Sequence, residues 1–287
     1  MQLETIGVVG AGNIGSSVTT DLILHGLRVV VVDVCHDILQ RAKAEVVCNV
    51  RAAPLLSKTL PKVTKEDAAA RLTLTTRLEE LAACDFIVEN VTEDWDVKKC
   101  VYERLDRVIP GEICFGVNTS CLSITQLGGV TKRPGNIVGL HFMNPVHLTA
   151  TVEVIRGSQT SDRTLEVIQQ LLARLNKTAV VVNDWPGFVS SRLSHVFMNE
   201  AAFALQDGVA TAEQIDTIFK KCYGHKMGPL ETADLIGLDT VVRSLKVLHE
   251  NFQDSKYRCC PLLQQLVHAG HMGRKTGRGF YRYPDSL

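Results

Sequence analysis

Long apolar runs are missing from this sequence. The longest reach only a handful of residues, against the roughly 20 that a membrane-spanning helix needs, so no membrane partner is expected. No excess charge of either sign is present. The 31 Lys and Arg stand against 31 Asp and Glu, which removes the electrostatic footprint of a nucleic-acid binder. The opening Met1-Gln-Leu-Glu-Thr-Ile6 lacks the basic region and small-residue cleavage site of a secretory leader. The nine cysteines (35, 48, 84, 100, 114, 121, 222, 259 and 260) contain no Cys-x-x-Cys and no histidine-spaced pair. That scatter argues against a disulfide framework and against a metal site, and fits reduced thiols in a cytoplasmic protein. Internal repeats and low-complexity tracts are absent as well.

What is present is a chain of 287 residues, 45% hydrophobic and 22% charged, enough for a full α/β domain and a smaller companion. Up to about residue 183, short β-branched runs alternate with amphipathic stretches. The runs are Ile6–Gly10, Val29–Val32, Leu72–Thr75, Phe86–Val88, Ile113–Gly116, Ile137–Leu140, Val152–Ile155 and Ala179–Val182. Strands alternating with helices predict a Rossmann-like, mostly parallel sheet covered on both faces. Residues 44–70 interrupt the rhythm with a helical excursion out of the sheet, punctuated by Pro54 and Pro61, with Thr64 as N-cap for Lys65–Arg71. After Asp184-Trp-Pro-Gly187 the strand signals stop. Helical spacing covers 188–205, Thr211-Ala-Glu-Gln214 is a capping box, and further helical runs span about 229–251 and 260–269. The expected architecture is therefore an α/β domain over 1–184 followed by an all-α domain over 185–287.

Gly10-Ala-Gly12-Asn13-Ile14-Gly15 follows the first strand and opens a helix. The first glycine permits the tight turn, the second lets backbone approach a pyrophosphate, and the third lets helix and strand pack closely. The helix N-terminus then offers N–H groups and the positive dipole end to phosphates. Asp33, ending the second strand 23 residues beyond Gly10, stands where an acid accepts hydrogen bonds from the adenosine ribose and repels a 2′-phosphate. The pattern predicts NAD rather than NADP.

Several further motifs resemble the short-chain L-3-hydroxyacyl-CoA dehydrogenase family, over nearly the whole chain. These are Glu89-Asn-Val-Thr-Glu93-Asp-Trp-Asp-Val-Lys98, Asn118-Thr-Ser120, His141-Phe-Met-Asn144-Pro145, Glu153 twelve residues after His141, Pro186-Gly-Phe188, Met227-Gly-Pro229, Gly237-Leu-Asp239 and Gly273-Arg-Lys-Thr-Gly-Arg-Gly-Phe-Tyr281. The resemblance implies that His141 is the catalytic acid/base with Glu153 as its carboxylate partner. It implies that Ser120 hydrogen-bonds the reacting oxygen, that Asn144 belongs to the catalytic motif, and that Glu93, Lys98 and Asn118 lie near the nicotinamide half of the cofactor. It also implies a homodimer built through the helical domain. The chemistry suits these residue types. Oxidising a secondary alcohol needs a base titrating near neutrality, imidazole starts near 6.5, and a carboxylate on its far nitrogen fixes the tautomer. His147, just past the motif, is expected at the mouth of the site; Trp95 and Trp185 are expected to pack.

The sequence departs from the family at Ser191, where the segment after Pro-Gly-Phe usually carries a substrate-contacting asparagine, and at Cys121, which replaces a serine. Three readings stay open. One is a 3-hydroxyacyl-CoA dehydrogenase of fatty-acid metabolism. Another is a biosynthetic dehydrogenase acting on a small hydroxyacyl group on acyl carrier protein, as in polyketide extender-unit pathways, with Arg51, Lys58, Lys62 and Lys65 either a docking set for the acidic carrier or a solvated charged face. The third is a non-catalytic nucleotide-binding or structural protein.

Overall fold

The computed structural model describes residues 3–283, which divide into two compact units between Trp185 and Pro186. The first unit is built on eight strands: β1 Thr5–Val9, β2 Arg28–Val32, β3 Leu72–Thr75, β4 Phe86–Glu89, β5 Cys114–Asn118, β6 Ile137–His141, β7 Thr151–Arg156 and β8 Thr178–Asn183. Their order is β3-β2-β1-β4-β5-β6-β7-β8. All neighbours run parallel except β6 and β7, which are antiparallel. Six helices accompany the sheet: α1 Asn13–Leu24, α2 His36–Leu56, α3 Lys65–Arg71, α4 Trp95–Val108, α5 Ile124–Gly129 and α6 Asp162–Arg174. The eight β-branched runs of the sequence are these eight strands. β4 and β6 are buried at every position, as strands covered on both faces must be.

The segment expected as a helical excursion out of the sheet is helical, in α2 and α3, and packs as a second layer over α1. α1 is buried from Gly15 to Leu24. α2 lays Leu39, Ala42, Val46, Val50 and Ala53, spaced by three and four, into the same apolar cluster as Val18 and Leu22 of α1. α2 runs two residues past Pro54, because a proline so near the end removes one N–H and the helix stops within the turn. Thr64 caps α3 as expected, accepting from Asp67 N. Trp185 is 61% exposed, so the packing role expected for it is not met.

The second unit is all helical: α7 Ser190–Gln206, α8 Ala212–Cys222, α9 Pro229–Ile236, α10 Leu238–Phe252 and α11 Pro261–His268, around a core that includes Met198, Leu230, Leu238, Val241 and Leu245. The capping box at Thr211 and Gln214 forms with both bonds. The helical run at 229–251 is two helices, broken at Gly237 with φ 103°. α9 starts behind Gly228, which has no side chain to cap it. Asp216 of α8 supplies the cap from outside, accepting from Leu230 N and Glu231 N at 2.9 Å each. A Cβ at Gly228 would stand 2.2–2.3 Å from that carboxyl group, so the approach needs glycine. Asp216 also accepts from the Tyr281 hydroxyl at 2.8 Å. Asp234 of α9 accepts from Phe280 N, Tyr281 N and the Tyr283 hydroxyl, all at 3.0 Å. Burial pushes the Asp234 carboxyl above its ordinary range in spite of these donors.

Asp216→Ala strands two buried N–H groups and a phenol, and is expected to destabilise the chain by about 2–4 kcal/mol. Thermal and denaturant unfolding followed by circular dichroism check this; an unchanged midpoint refutes the capping role.

Candidate active site

In an open sheet wound in this way, ligands bind beyond the carboxyl ends of the strands, where the strand order reverses. Here the reversal lies between β1 and β4, and two cavities of about 380 Å³ and 350 Å³ open there, sharing Gly12 and Asn90–Thr92. The glycine loop forms the floor. Gly10 has φ 90°, and a Cβ at Gly15 would stand 1.9 Å from the Gly10 carbonyl oxygen, so the loop closes only with glycine at both places. A Cβ at Gly12 meets nothing within 4 Å, which leaves room above the loop. α1 begins there without a side-chain cap and without an acid in its first turn. Asn13 and Ile14, its first residues, line the smaller cavity.

The larger cavity has apolar walls from Val9, Val32, Ile38, Leu78 and Val101, and Asp33 at its side. The Asp33 carboxylate accepts from Ala11 N at 2.8 Å and from Cys35 N at 3.3 Å. A carboxylate offers about four acceptor positions, so two remain for a diol. An apolar slot beside a fixed carboxylate, leading to a phosphate-sized gap at a helix N-terminus, fits a dinucleotide.

Around the smaller cavity stand Glu93, Asn118, Ser120 and His141. The antiparallel pairing of β6 and β7 sets His141 directly opposite Glu153, and His141 Nδ1 lies 3.0 Å from Glu153 Oε2. Both are buried, at 7% and 9% exposure. Ser120 sits on the turn after β5, and Glu93 grips that turn. One carboxylate oxygen, Oε1, accepts from the Thr119 hydroxyl at 2.6 Å, from Ser120 N at 2.8 Å and from Cys121 N at 3.1 Å. Asn118 Oδ1 accepts from Phe142 N at 3.4 Å, joining the ends of β5 and β6.

Lys98 lies deeper than expected. It is wholly buried on α4, and its ammonium donates to both Glu89 oxygens at 2.7 and 3.0 Å, to Asn118 O at 2.9 Å and to Val91 O at 3.3 Å. It fastens the ends of β4 and β5 from beneath. Burial pushes the Glu89 carboxyl up, while the Lys98 ammonium pulls it back. Sequence reasoning misses Glu89; a glutamate closing an apolar strand nine residues before a lysine is the available signal.

Asn144 is exposed beyond β6. Ser191 belongs to the second unit, where it is buried in the first turn of α7 and its carbonyl lies 2.7 Å from His195 Nδ1. His147 is not at the mouth of the site. The short helical turn Val146–Leu148 rotates it inward, where it is 7% exposed and lowered in pKa by burial. Among the described residues no group of three His, Cys, Asp or Glu could hold a metal ion.

Comparison with known proteins gives a consistent result. Residues 5–185 match the family model described as 3-hydroxyacyl-CoA dehydrogenase, NAD binding domain, and residues 187–283 match 3-hydroxyacyl-CoA dehydrogenase, C-terminal domain. A 3-hydroxybutyryl-CoA dehydrogenase of Bradyrhizobium diazoefficiens is 41% identical over 98% of this chain and 96% of its own. One of Clostridioides difficile is 37% identical over 97% of this chain and 99% of its own. The crystal structure of (S)-3-hydroxybutyryl-CoA dehydrogenase from Ralstonia eutropha superposes with a TM-score of 0.92 at 38% identity, covering 99% of this chain and all of that one.

Gly15→Ala drives a methyl group into the Gly10 carbonyl and must open the loop. NADH affinity, read by fluorescence titration, is expected to fall by more than about tenfold, the scale of a lost phosphate-loop contact. Affinity within twofold of the parent would show that the loop is not the cofactor floor.

Proposed function

The chain belongs to the 3-hydroxyacyl-CoA dehydrogenase family and is an NAD-dependent dehydrogenase; on that premise we propose that it interconverts a (3S)-3-hydroxyacyl-CoA, of the 3-hydroxybutyryl type, and the 3-ketoacyl-CoA. Bound NAD supplies the acceptor for the hydride that leaves carbon 3. His141 takes the hydroxyl proton in the oxidative direction and returns it in the reductive one, through Nε2, because Nδ1 faces Glu153. Glu153 orients the ring and stabilises its protonated form. Ser120 donates to the substrate oxygen as negative charge grows there. Glu93 and Lys98 act through position: the first holds the Ser120 turn, the second holds the strand ends that bear Asn118. The glycine loop, Asp33 and the N-terminus of α1 hold the cofactor, with Asn13 and Ile14 beside the pyrophosphate. Asn144 and Ser191 are assigned to the substrate side. The observation that supports this reading most is the buried imidazole–carboxylate pair beside a cavity whose floor is the dinucleotide loop.

A second reading, a carrier-protein thioester as substrate, draws support from one surface feature. Residues 46–65 contain no acid and four cations, Arg51, Lys58, Lys62 and Lys65, all exposed, with Leu55 and Leu56 exposed between them at 89% and 61%. An acidic, amphipathic carrier protein suits such a surface. The second unit exposes Val209, Ile218, Tyr223 and Leu235, and we assign dimerisation to it. Unbridged cysteines such as Cys48, Cys100 and Cys222 suit a reducing, cytoplasmic setting, and no described helix is long and apolar enough to cross a membrane.

NADH formation at 340 nm with (S)-3-hydroxybutyryl-CoA tests the main reading. His141→Gln is expected to lower kcat by about 10²–10⁴-fold with NADH affinity kept. Near-normal turnover in that variant refutes the acid/base assignment. Offering the same acyl group on CoA and on an acyl carrier protein divides the two substrates. A kcat/KM more than about tenfold higher on the carrier protein, a gap of about 1.4 kcal/mol, overturns the CoA reading.

A further inference from the structure

A third buried ion pair stands in the first unit, apart from His141–Glu153 and Glu89–Lys98. Asp21, 1% exposed in the middle of α1, lies 3.1 Å through Oδ2 from the ammonium of Lys177, which precedes β8 and is 8% exposed. That ammonium donates to Val146 O at 2.7 Å and to Thr149 O at 2.6 Å, clamping both ends of the turn after the His141 motif. One turn before Asp21 on the same helix, Ser17 Oγ accepts from Val146 N at 2.8 Å. The 146–149 turn is thus tied twice to the helix that begins in the glycine loop. Two imidazoles flank the pair. His25 Nδ1 lies 2.9 Å from Asp21 O and 3.3 Å from Asp21 Oδ1. His147 is buried beside the pair, its Nδ1 without a hydrogen-bond partner.

Stability alone does not account for this arrangement. Taking two opposite charges out of water costs about as much as their attraction returns, and well-packed apolar residues of similar volume commonly do as well or better. Apolar side chains could fill the space, but could not hold two carbonyl oxygens at a fixed register. The clamped turn lies five to eight residues beyond His141 and begins two residues after Asn144. The helix that clamps it starts at the loop that carries the dinucleotide. The tie therefore fixes how the end of β6 stands against the cofactor floor.

We propose that Asp21 and Lys177 are positioning residues for hydride transfer, keeping the segment from His141 to Thr149 in register with the glycine-loop helix. This rests on the functional reading above. Neither residue touches substrate or cofactor; both act through the turn.

The test uses the full chain with Lys177→Met and with the double variant Asp21→Val/Lys177→Met, which leaves no unpaired buried charge and decides the matter if the single variant fails to fold. The measurements are kcat and KM for (S)-3-hydroxybutyryl-CoA, the isotope effect on kcat with deuterium at carbon 3, and ADP-ribose affinity by calorimetry. The expected result is a folded double variant with ADP-ribose affinity and KM near the parent's. Its kcat should be lower by about tenfold or more, with a larger isotope effect, since small misplacements of reacting groups slow chemistry without weakening binding. A double variant with the parent's kcat and isotope effect overturns the proposal. Hydrogen exchange supplies a readout that does not need turnover: ADP-ribose should slow exchange of the 143–149 amides in the parent and not in the double variant. Equal slowing in both overturns the coupling. A parent inactive on (S)-3-hydroxybutyryl-CoA counts against the substrate reading, and the exchange result still decides this one.

Discussion

The antiparallel step from β6 to β7 is the constraint on which the site depends. In a parallel sheet every strand delivers its last residues to the ligand edge, and two such residues are separated in sequence by a whole crossover. Reversing one strand brings a residue near the start of β7 to that same edge. His141 closes β6, the chain turns within nine residues, and Glu153 returns opposite it in register. The geometry of the imidazole and carboxylate is thus written into a backbone ladder and does not rest on loop conformation. A one-residue slip would point the carboxylate to the other face of the sheet.

Around that ladder the protein places its hydrogen-bonded charges in a consistent way. Glu89–Lys98, Glu93 with its three donors, and Asp21–Lys177 each hold backbone groups at strand or turn ends. None sits in the middle of the apolar core. An ion removed from water is tolerated where it satisfies several polar groups at once, and removing one partner of such a pair typically costs about 3–5 kcal/mol. In the second unit Asp216 and Asp234 do the same work, replacing the cap that Gly228 lacks and gripping residues 280–283. The acids and lysines that order this protein order its loops.

Much of the architecture was legible in the sequence, because strands buried on both faces announce themselves as β-branched runs and because Thr64 and Thr211 cap where threonine should. The dinucleotide loop was legible for the same kind of reason: glycine at 10 and 15 is forced by backbone approach. What the sequence concealed was direction. Nothing local says that Lys98 turns under the sheet, that His147 turns into the domain, or that Trp185 faces outward, since each orientation is decided by contacts distant in sequence. Asp21 was legible in principle, as an acid within an apolar helix with a histidine four residues on. The helical character of the excursion at 44–70 was legible; what its narrow apolar stripe packs against, chiefly α1, was not, because that is decided by residues distant in sequence.

The grip of Asp216 and Asp234 on Phe280, Tyr281 and Tyr283 also bears on how the chain is made. Asp234 and Asp216 leave the ribosome 46 to 65 residues before the aromatic segment that completes their hydrogen bonds, so Asp234 waits for all three of these partners, and Asp216 for its phenol, until the last turns of the second unit have emerged. The first unit has no such debt to later sequence within its own sheet, whose final strand ends at Asn183. Synthesis from the N-terminus thus presents a nucleotide-binding half that can settle early, and a helical half that closes late and all together.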